Sequence, residues 1–309
     1  MRRTAIAALL VGGLLVTACG DDDAETADTD APPADTSDDA SGETGAPVGT
    51  DAPAGTDAAG ATCADGKTLV DGELTIATGE PAFPPYVIDD APETGEGFEA
   101  AVAMAVAREM GFEGDAVKWI RTTFDAAIQP GPKDFDFNLQ QYTITSDRAE
   151  VVSFSDPYYT AAQAIFGLAD SPAADATTIA DLQGLKIGVQ ASTTSLTYVE
   201  EVIQPTSAPL VFNDNAAAKQ ALDGNQIDAI VADLPTALFI TAVEMEGTAV
   251  YGQIEGSGTD QFGLLLEKDS PLVDCVNDAL AALTESGELE AITTEWMADY
   301  TEAPIITLT

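Results

Sequence analysis

The sequence predicts an α/β fold with mainly parallel sheets. Short apolar runs with strand character alternate along the chain with segments of helical periodicity, and this alternation is typical of α/β architecture. The stretch that begins at residue 66 is about 245 residues long, enough for one or two α/β lobes. It contains no internal repeat. The predicted strands are residues 74–78, 135–139, 164–168, 186–190, 227–232 and 262–267.

The helices follow from the spacing of apolar residues between these strands. Residues 98–110 form an alanine-rich amphipathic segment that ends at Gly111. Near the C-terminus, one helical face ends at Gly287, and a further stripe covers residues 289–296. The face that ends at Gly287 consists of Leu272, Val273, Val276, Ala279, Leu280 and Leu283.

The first 18 residues predict a signal peptide. Arg2 and Arg3 provide its positive start, and residues 5–16 form an apolar core that is too short to span a bilayer. Residues 16–19 match the bacterial lipoprotein box, in which small residues precede a lipidated Cys19. An ordinary secretory cleavage site beside an incidental cysteine is the alternative. We therefore expect an exported protein, anchored by lipid to the outer face of the cytoplasmic membrane.

Residues 19–65 predict a disordered acidic linker after that anchor. The tract from residue 20 to residue 65 contains 13 acidic residues, no Lys or Arg, and no hydrophobic periodicity. Such a composition buries too little apolar surface to offset the entropy of ordering. The whole chain has 11 Lys+Arg against 53 Asp+Glu. This balance argues against nucleic-acid binding, because nothing would neutralise the phosphates.

Two cysteines, Cys63 and Cys275, remain once Cys19 is assigned to lipidation. An even pair in an oxidising compartment predicts one disulfide, which would join the start of the folded part to a C-terminal helix. Two buried free thiols are the alternative. The chain has no His, so two cysteines give no recognisable metal-ligand set, and we expect neither metal nor cofactor.

Arg148 is the first candidate for a binding residue, because cations are scarce in this chain. It follows Thr143 and Thr145 at the end of a predicted strand. A guanidinium in such a position can bind a small carboxylate through two charge-assisted hydrogen bonds. The alternative is a surface ion pair with Asp147 or Glu150.

Several motifs occur together in one order, and the order is more specific than any motif alone. The succession resembles the extracellular solute-binding proteins of polar amino-acid ABC importers, which have the type II periplasmic-binding-protein fold. The resemblance covers residues 68–300. The motifs are EPAFPPY at 80–86, GFE at 97–99, FDAAI at 124–128, ITSDR at 144–148, FSDPYY at 154–159, IADLQGLKIGV at 179–189, QASTT at 190–194, IDAIVAD at 227–233 and FGL at 262–264.

The resemblance implies two Rossmann-like lobes joined by two crossover strands, with a ligand cleft between them and closure by a hinge motion. Residues 66–161 and 258–309 would form the first lobe, and residues 162–257 the second. It also implies an amino-acid ligand and ABC permease subunits as partners. We expect a monomer.

By the same resemblance, Arg148 would bind the α-carboxylate of the ligand, supported by Gln141, Thr143 and Thr145. Ser192 and Thr193 would contact that carboxylate from the second lobe, at the start of a helix. Plain helix capping by these two hydroxyls is a compatible alternative.

Asp233 would receive the α-ammonium, because an unpaired buried carboxylate is costly. The alternative is that Asp233 caps the segment that begins at Leu234-Pro235. Phe83 and Phe124 would form aromatic walls, although a lone Phe is more often part of a core. Glu80 would reach an amine or distal polar group, or would be a surface turn carboxylate.

The favoured function is a non-catalytic amino-acid receptor that delivers its ligand to an ABC permease. The alternative is an enzyme on the same scaffold, similar to periplasmic arogenate or prephenate dehydratases. The absence of His removes the commonest general base. The sequence does not name the amino acid. Asn138, Gln140 and Gln141 depart from the family pattern, and the polar run Gln140-Gln141-Tyr142 leaves the side-chain preference open.

Overall fold

The computed structural model describes residues 62–309, which contain two β-sheets with helices packed against them. The expected two-lobed α/β architecture is confirmed. The strands, numbered in chain order, are β1 (Leu74–Gly79), β2 (Val117–Thr122), β3 (Phe137–Asn138), β4 (Ser153–Ala161), β5 (Gln163–Leu168), β6 (Ile187–Gln190), β7 (Leu210–Phe212), β8 (Ala229–Asp233), β9 (Thr248–Ile254), β10 (Asp260–Leu266) and β11 (Ile305–Ile306).

The helices vary from single turns to four turns. The longest are α1, α8 and α9, and these correspond to the three helical patterns of the sequence. The helices are α1 (Phe98–Glu109), α2 (Phe124–Ala127), α3 (Ser146–Ala149), α4 (Ile179–Leu182), α5 (Thr194–Tyr198), α6 (Asn215–Asp223), α7 (Leu234–Phe239), α8 (Val273–Ser286) and α9 (Glu288–Met297).

The first sheet has the strand order β2-β1-β3-β10-β4, and the second has the order β11-β9-β5-β8-β6-β7. The expectation of mainly parallel sheets is only partly right. Strands β5 and β10 run antiparallel to both of their neighbours, whereas every other pairing is parallel. These two strands follow the crossings between the sheets, so each enters its sheet from the opposite lobe.

Each lobe, defined as the part built on one sheet, has its own core. In the first lobe, α1, α8 and α9 pack on the sheet through residues such as Phe98, Val276 and Ile292. In the second, apolar side chains cover both faces of the sheet. Buried strands with apolar residues on both faces are typical of α/β proteins.

Gly97 makes the entry to α1 possible. Its φ is 106°, and a Cβ at this position would lie 2.5 Å from the carbonyl oxygen of Tyr86. That carbonyl accepts hydrogen bonds from the backbone N–H groups of Glu99 and Ala100, at 2.9 and 3.2 Å. Only glycine tolerates both the conformation and the contact. The start of α1, including the buried Glu99, is thereby fixed against the loop that contains Tyr86.

The end of the chain departs from the predicted lobe boundaries. We expected residues 258–309 to belong entirely to the first lobe, but β11 pairs in parallel with β9 of the second sheet. Met297 is buried in the first core, and the ring of Tyr300 lies 6.2 Å from the ring of Phe239 in the second lobe. The assignment is therefore wrong for the segment after α9. A two-residue strand has too weak a pattern to be recognised from sequence.

Cys63 and Cys275 form a disulfide with a Cα–Cα distance of 5.6 Å, within the usual range for such bonds. The bond joins a turn at residues 63–67 to α8. Ala64, within the predicted linker 19–65, is buried in the first core, so the C-terminal end of that predicted linker belongs to the folded part. The predicted signal peptide 1–18, Cys19 and the rest of the linker lie outside the described residues.

Candidate functional site

A cavity of about 650 Å³ opens between the two lobes. Its volume is typical of sites that enclose a small organic molecule. Both lobes contribute to its walls. From the sequence-predicted site it is lined by Glu80, Phe83, Phe124, Gln141, Thr143, Arg148, Thr193 and Asp233.

Arg148 is held at the edge of the cavity by the turn that contains it. Thr145 caps α3, and its hydroxyl accepts a hydrogen bond from the Arg148 backbone N–H at 3.2 Å. The guanidinium donates to the backbone carbonyls of Thr143 and Ser192, at 2.7 and 2.8 Å, and its carbon lies 5.3 Å from the centre of the Phe124 ring. A guanidinium carries five N–H donors, so three N–H groups of Arg148 remain without a protein acceptor within residues 62–309.

The surface-pair alternative for Arg148 is not what the structure shows. Neither Asp147 nor Glu150 forms an ion pair with Arg148 in the described part of the chain. Burial lowers the pKa of Arg148, and the nearby Tyr142 hydroxyl and the carboxyls of Asp233 and Asp260 raise it in turn. The structure therefore directs this cation towards the cavity rather than towards its sequence neighbours.

Ser192 and Thr193 are placed differently from each other. Ser192 has φ of 61°, and its hydroxyl donates to the Asp125 carboxylate at 2.7 Å across the cleft. It is not among the lining residues. Thr193 does line the cavity, and its hydroxyl both caps α5, by accepting from Leu196 N–H at 3.2 Å, and donates to the Gln190 carbonyl at 2.7 Å. Capping therefore occupies the Thr193 hydroxyl.

Asp233 lies at the end of β8 and directly before α7. Its side chain makes no capping hydrogen bond to α7, so the capping alternative does not apply. Instead, its Oδ1 accepts a hydrogen bond from Nε2 of Gln163 at 2.7 Å. Burial raises the pKa of Asp233 to about 7, and the negative charge of Asp260 adds to the rise. This carboxyl has no other protein hydrogen bond among the residues described.

Gln163 and Asp260 are two functional candidates that the sequence analysis missed. Gln163 is fully buried at the start of β5, and Asp260 is 6% exposed at the start of β10. Nε2 of Gln163 lies 2.8 Å from Oδ2 of Asp260. The sequence does show a polar residue at the start of each apolar crossover strand, which could have marked both as candidates. The hydrogen bond between Gln163 and Asp260 could not be foreseen, because the two residues lie far apart in sequence.

Gln141 owes its position to Glu99. The φ of Gln141 is 53°, an uncommon conformation for a residue with a side chain. The buried Glu99 carboxyl accepts hydrogen bonds from the Gln141 backbone N–H at 2.7 Å, from its side-chain amide, and from the Tyr158 hydroxyl. Burial raises the pKa of Glu99 to about 7, and the hydrogen bonds from Tyr158 and Gln141 limit the rise.

The two predicted aromatic residues, Phe83 and Phe124, each contact a tyrosine ring, one edge-on and the other by stacking. Phe124 stacks on Tyr142 with ring centres 4.7 Å apart and planes 28° apart, whereas Phe83 meets Tyr86 edge-on at 5.7 Å. Both Phe side chains are half-buried. Glu80 is exposed and lines the cavity on the same side. The polar residue Gln140 also lines it and accepts a hydrogen bond from Tyr142 at 2.9 Å.

The charged side chains of the lining are mostly acidic. Lys219 and Arg148 are its cations, and Lys219 is paired with Glu244 at 2.6 Å. Arg148 and Asp233 do not form an ion pair with each other or with any other described residue. The lining carboxylates are Glu80, Asp125, Asp214, Asp233 and Glu244. A cavity with this balance favours a ligand that carries positive charge.

Several polar contacts among the described residues link the lobes around the cavity. Besides the Arg148–Ser192 and Ser192–Asp125 bonds, the Tyr86 hydroxyl lies 3.2 Å from the Thr236 hydroxyl. The hydroxyls of Thr143 and Thr194 lie 3.4 Å apart. Opening of the cleft would therefore break several polar contacts of modest strength.

Two features are absent from residues 62–309. None of the helices there is long and apolar enough to cross a membrane. No cluster of three or more potential metal ligands occurs within the same residues.

Comparison with known proteins gives consistent matches over the folded part. Relatives include the L-cystine-binding protein TcyJ of Escherichia coli strain K12, 29% identical over 232 residues (72% of this chain, 82% of the relative). The arginine-binding periplasmic protein of Mannheimia haemolytica is 30% identical over 225 residues (71% and 89%).

A solved structure of an ancestral arginine-binding protein bound to arginine is 29% identical, with a TM-score of 0.62, and covers 73% of this chain and 98% of its own. The model of the bacterial extracellular solute-binding proteins, family 3, matches residues 74–299. That match includes both sheets apart from the last strand, and it confirms the resemblance drawn from the motifs. The chain belongs to family 3 of the bacterial extracellular solute-binding proteins.

Proposed function

We propose that this protein is the extracellular binding component of an ABC importer and that it captures an L-amino acid with a cationic side chain. The observation that carries the proposal is that one cavity contains two opposite charges, those of Arg148 and Asp233, that form no ion pair within residues 62–309. Arg148 offers N–H groups to a carboxylate, and Asp233 offers a carboxyl to an ammonium. A free amino acid is the smallest ligand that supplies both counter-charges.

The remaining carboxylates of the lining support the choice of a cationic side chain. With Arg148 and Asp233 assigned to the α-groups, and Lys219 paired with Glu244, the charges left over are those of Glu80, Asp125 and Asp214. A ligand guanidinium or amine would be attracted by them, and a ligand carboxylate would be repelled. The arginine-binding relative agrees with this inference, since its name describes such a ligand.

A thermal-shift screen of the protein-forming amino acids tests the proposal. At a concentration of about 100 times Kd, a ligand stabilises the folded state by about 2.7 kcal/mol, which corresponds to a rise in Tm of about 5–10 °C for a domain of this size. We expect arginine or lysine to give the largest rise and glutamate to give none. A rise with glutamate and not with either cationic amino acid would refute the assignment of the side chain.

The enzyme alternative has less support, because the relatives named above are binding proteins. Glu80, the candidate acid for such an enzyme, is exposed, and its side chain forms no ion pair with another residue in the described part of the chain. Incubation with arogenate and prephenate, followed by product analysis, decides the matter. Turnover that disappears on Glu80→Gln substitution would establish a catalytic role.

The membrane anchor and the assembly state rest on the sequence and on the family. We propose that lipidated Cys19 holds the protein at the outer face of the cytoplasmic membrane, where a monomer presents its ligand to the permease subunits. Cys19→Ala should move the exported protein from the membrane fraction to the soluble fraction. Retention in the membrane fraction would contradict the anchor, and a dimer in sedimentation would contradict the monomer.

A further inference from the structure

Gln163 connects the binding site to both of the strands that cross between the lobes. It lies on β5, and its amide nitrogen donates to Asp233 at 2.7 Å and to Asp260, on β10, at 2.8 Å. Its amide oxygen accepts from the Ser195 hydroxyl at 2.6 Å. The side chain is fully buried, so the hydrogen-bonding capacity of the amide is used within the protein.

This geometry brings two carboxyls close together. Both accepting oxygens lie within 2.8 Å of one nitrogen, so they are no more than about 5.5 Å apart. Two like charges at such a distance, away from water, do not ionise independently. The pKa values of both Asp233 and Asp260 are raised, with burial as the largest cause in each case.

The charged and titratable surroundings of the pair do not neutralise it. Arg148 is the cation that acts on both carboxyls, and it lowers both pKa values without forming an ion pair with either. Glu99 adds negative charge on the side of Asp233. The neighbouring tyrosines are Tyr86 and Tyr159 near Asp233 and Tyr198 near Asp260.

We propose that Gln163 and Asp260 are positioning residues for Asp233, and that together they make capture of a cation at Asp233 an exchange for a proton. In the absence of a cation and below about pH 7, the pair shares one proton and one negative charge. When a ligand ammonium reaches Asp233, that proton passes to solvent, and both carboxylates remain ionised around the Gln163 amide. No covalent bond to the ligand forms or breaks.

This inference rests on the proposed function, because it takes Asp233 to be the acceptor of the α-ammonium. It adds two residues that do not line the cavity. It also adds a measurable quantity, the number of protons released on binding. The α-ammonium and guanidinium of arginine are charged between pH 5 and pH 7, so protons released in that range come from the protein.

Calorimetric titration with L-arginine and L-lysine, in two buffers of different protonation enthalpy, measures this release. For the wild-type protein we expect release of about half a proton at pH 7, where half of Asp233 is ionised before binding. Asp260→Asn keeps an acceptor for Gln163 but removes the like charge. Removal of this charge lowers the pKa of Asp233, so the affinity at pH 6 should rise severalfold while the affinity at pH 8 stays within about twofold.

Asp136→Asn is the matched control. Asp136 is also a buried carboxyl with a pKa raised by burial, but its hydrogen bonds go to the backbone of Leu69 and Thr75, and it does not line the cavity. This substitution should leave both proton release and affinity unchanged. A change equal to that of Asp260→Asn would mean that the effect is a general one and would overturn the proposal.

Gln163→Met provides a second, independent variant. Methionine has a similar size and flexibility but cannot hold the two carboxyls. We expect the affinity for arginine to fall at least tenfold, and the affinity for 5-guanidinopentanoate, which lacks the α-ammonium, to fall less than threefold. Equal losses for both ligands would overturn the positioning role.

The outcomes separate the two proposals. If the wild-type protein binds neither arginine nor lysine, the proposed function fails and this inference fails with it. If the wild-type protein binds them, but Asp260→Asn leaves proton release and pH dependence unchanged, only the inference about Gln163 and Asp260 is overturned.

Discussion

Replacement of Arg148 is the most direct test of how the cavity binds a carboxylate. Arg148→Ala removes a cation that has no acidic partner in the described part of the protein, together with its bonds to the carbonyls of Thr143 and Ser192. A ligand carboxylate would then be enclosed without a counter-charge. Loss of one partner of such a pair costs about 2–5 kcal/mol, and we take about 3 kcal/mol, because Arg148 is only half-buried.

That free energy corresponds to a Kd about 100-fold higher, since each 1.4 kcal/mol is a factor of about ten. Arg148→Lys retains the charge but loses the planar arrangement of donors. We expect an intermediate loss of about tenfold for that variant. The order wild type, Lys, Ala would show that both charge and geometry contribute.

Isothermal titration with arginine at pH 7.5 measures the three affinities. Circular dichroism and thermal unfolding show whether each variant is folded. Arg108→Ala is the matched control, because Arg108 is 42% exposed and pairs with Glu109 and Glu288 away from the cavity. If folded Arg148→Ala binds as tightly as the wild type, or if Arg108→Ala loses as much affinity, the assignment of the carboxylate site is incorrect.

Three further predictions concern stability. Because the pKa of Asp233 is raised, the folded state holds a proton between about pH 4 and pH 7 that the unfolded state has lost, so the free energy of unfolding falls as pH rises through this range. Asp233→Asn should therefore raise the Tm of the ligand-free protein at pH 8 by about 3 °C or more. A lower Tm for this variant would contradict the prediction. Glu99→Ala leaves the Gln141 N–H and the Tyr158 hydroxyl without their acceptor, so the free energy of unfolding in urea should fall by about 1–3 kcal/mol for each group. Glu99→Gln should lose less than half as much stability. Equal losses for the two variants would argue against these hydrogen bonds. Reduction of the Cys63–Cys275 disulfide should lower the free energy of unfolding by about 2–5 kcal/mol. The affinity for arginine should not change, because neither cysteine lines the cavity. A changed affinity would mean that the disulfide also shapes the cleft.

The sequence was sufficient for the elements with a strong local pattern. Strand β1 was expected at 74–78 and is Leu74–Gly79, and α1 was expected at 98–110 and is Phe98–Glu109. The face that was predicted to end at Gly287 belongs to α8, and Gly287 has the left-handed conformation typical of helix ends. Five strands, β2, β4, β7, β9 and β11, lie outside the six apolar runs that were predicted as strands. Two of them, β7 and β11, have only three and two residues, which give no usable periodicity.

The residues of the site could be predicted where they belong to a recognisable sequence motif. They could not be predicted where their position depends on a contact with a residue far away in sequence. Asp233 ends β8, and Arg148 lies in a motif that follows β3, so their places in the cavity follow from the order of the motifs. The environment of Gln163 depends on Asp260, 97 positions away. The conformation of Gln141 depends on Glu99, 42 positions away. Such contacts are products of tertiary packing, which local sequence does not encode.

The short segment between Met297 and Tyr300 has a mechanical consequence. Met297 is fixed in the first core, and Tyr300 packs on Phe239 of the second lobe. The lobes are thus tethered at three places: where β4 leads into β5, where β9 leads into β10, and here. Between the two anchoring residues, Ala298 and Asp299 alone absorb any change of angle at this tether of the described structure. The width to which the cleft can open is therefore limited by a segment outside it, and substitutions there should alter affinity without altering a ligand contact.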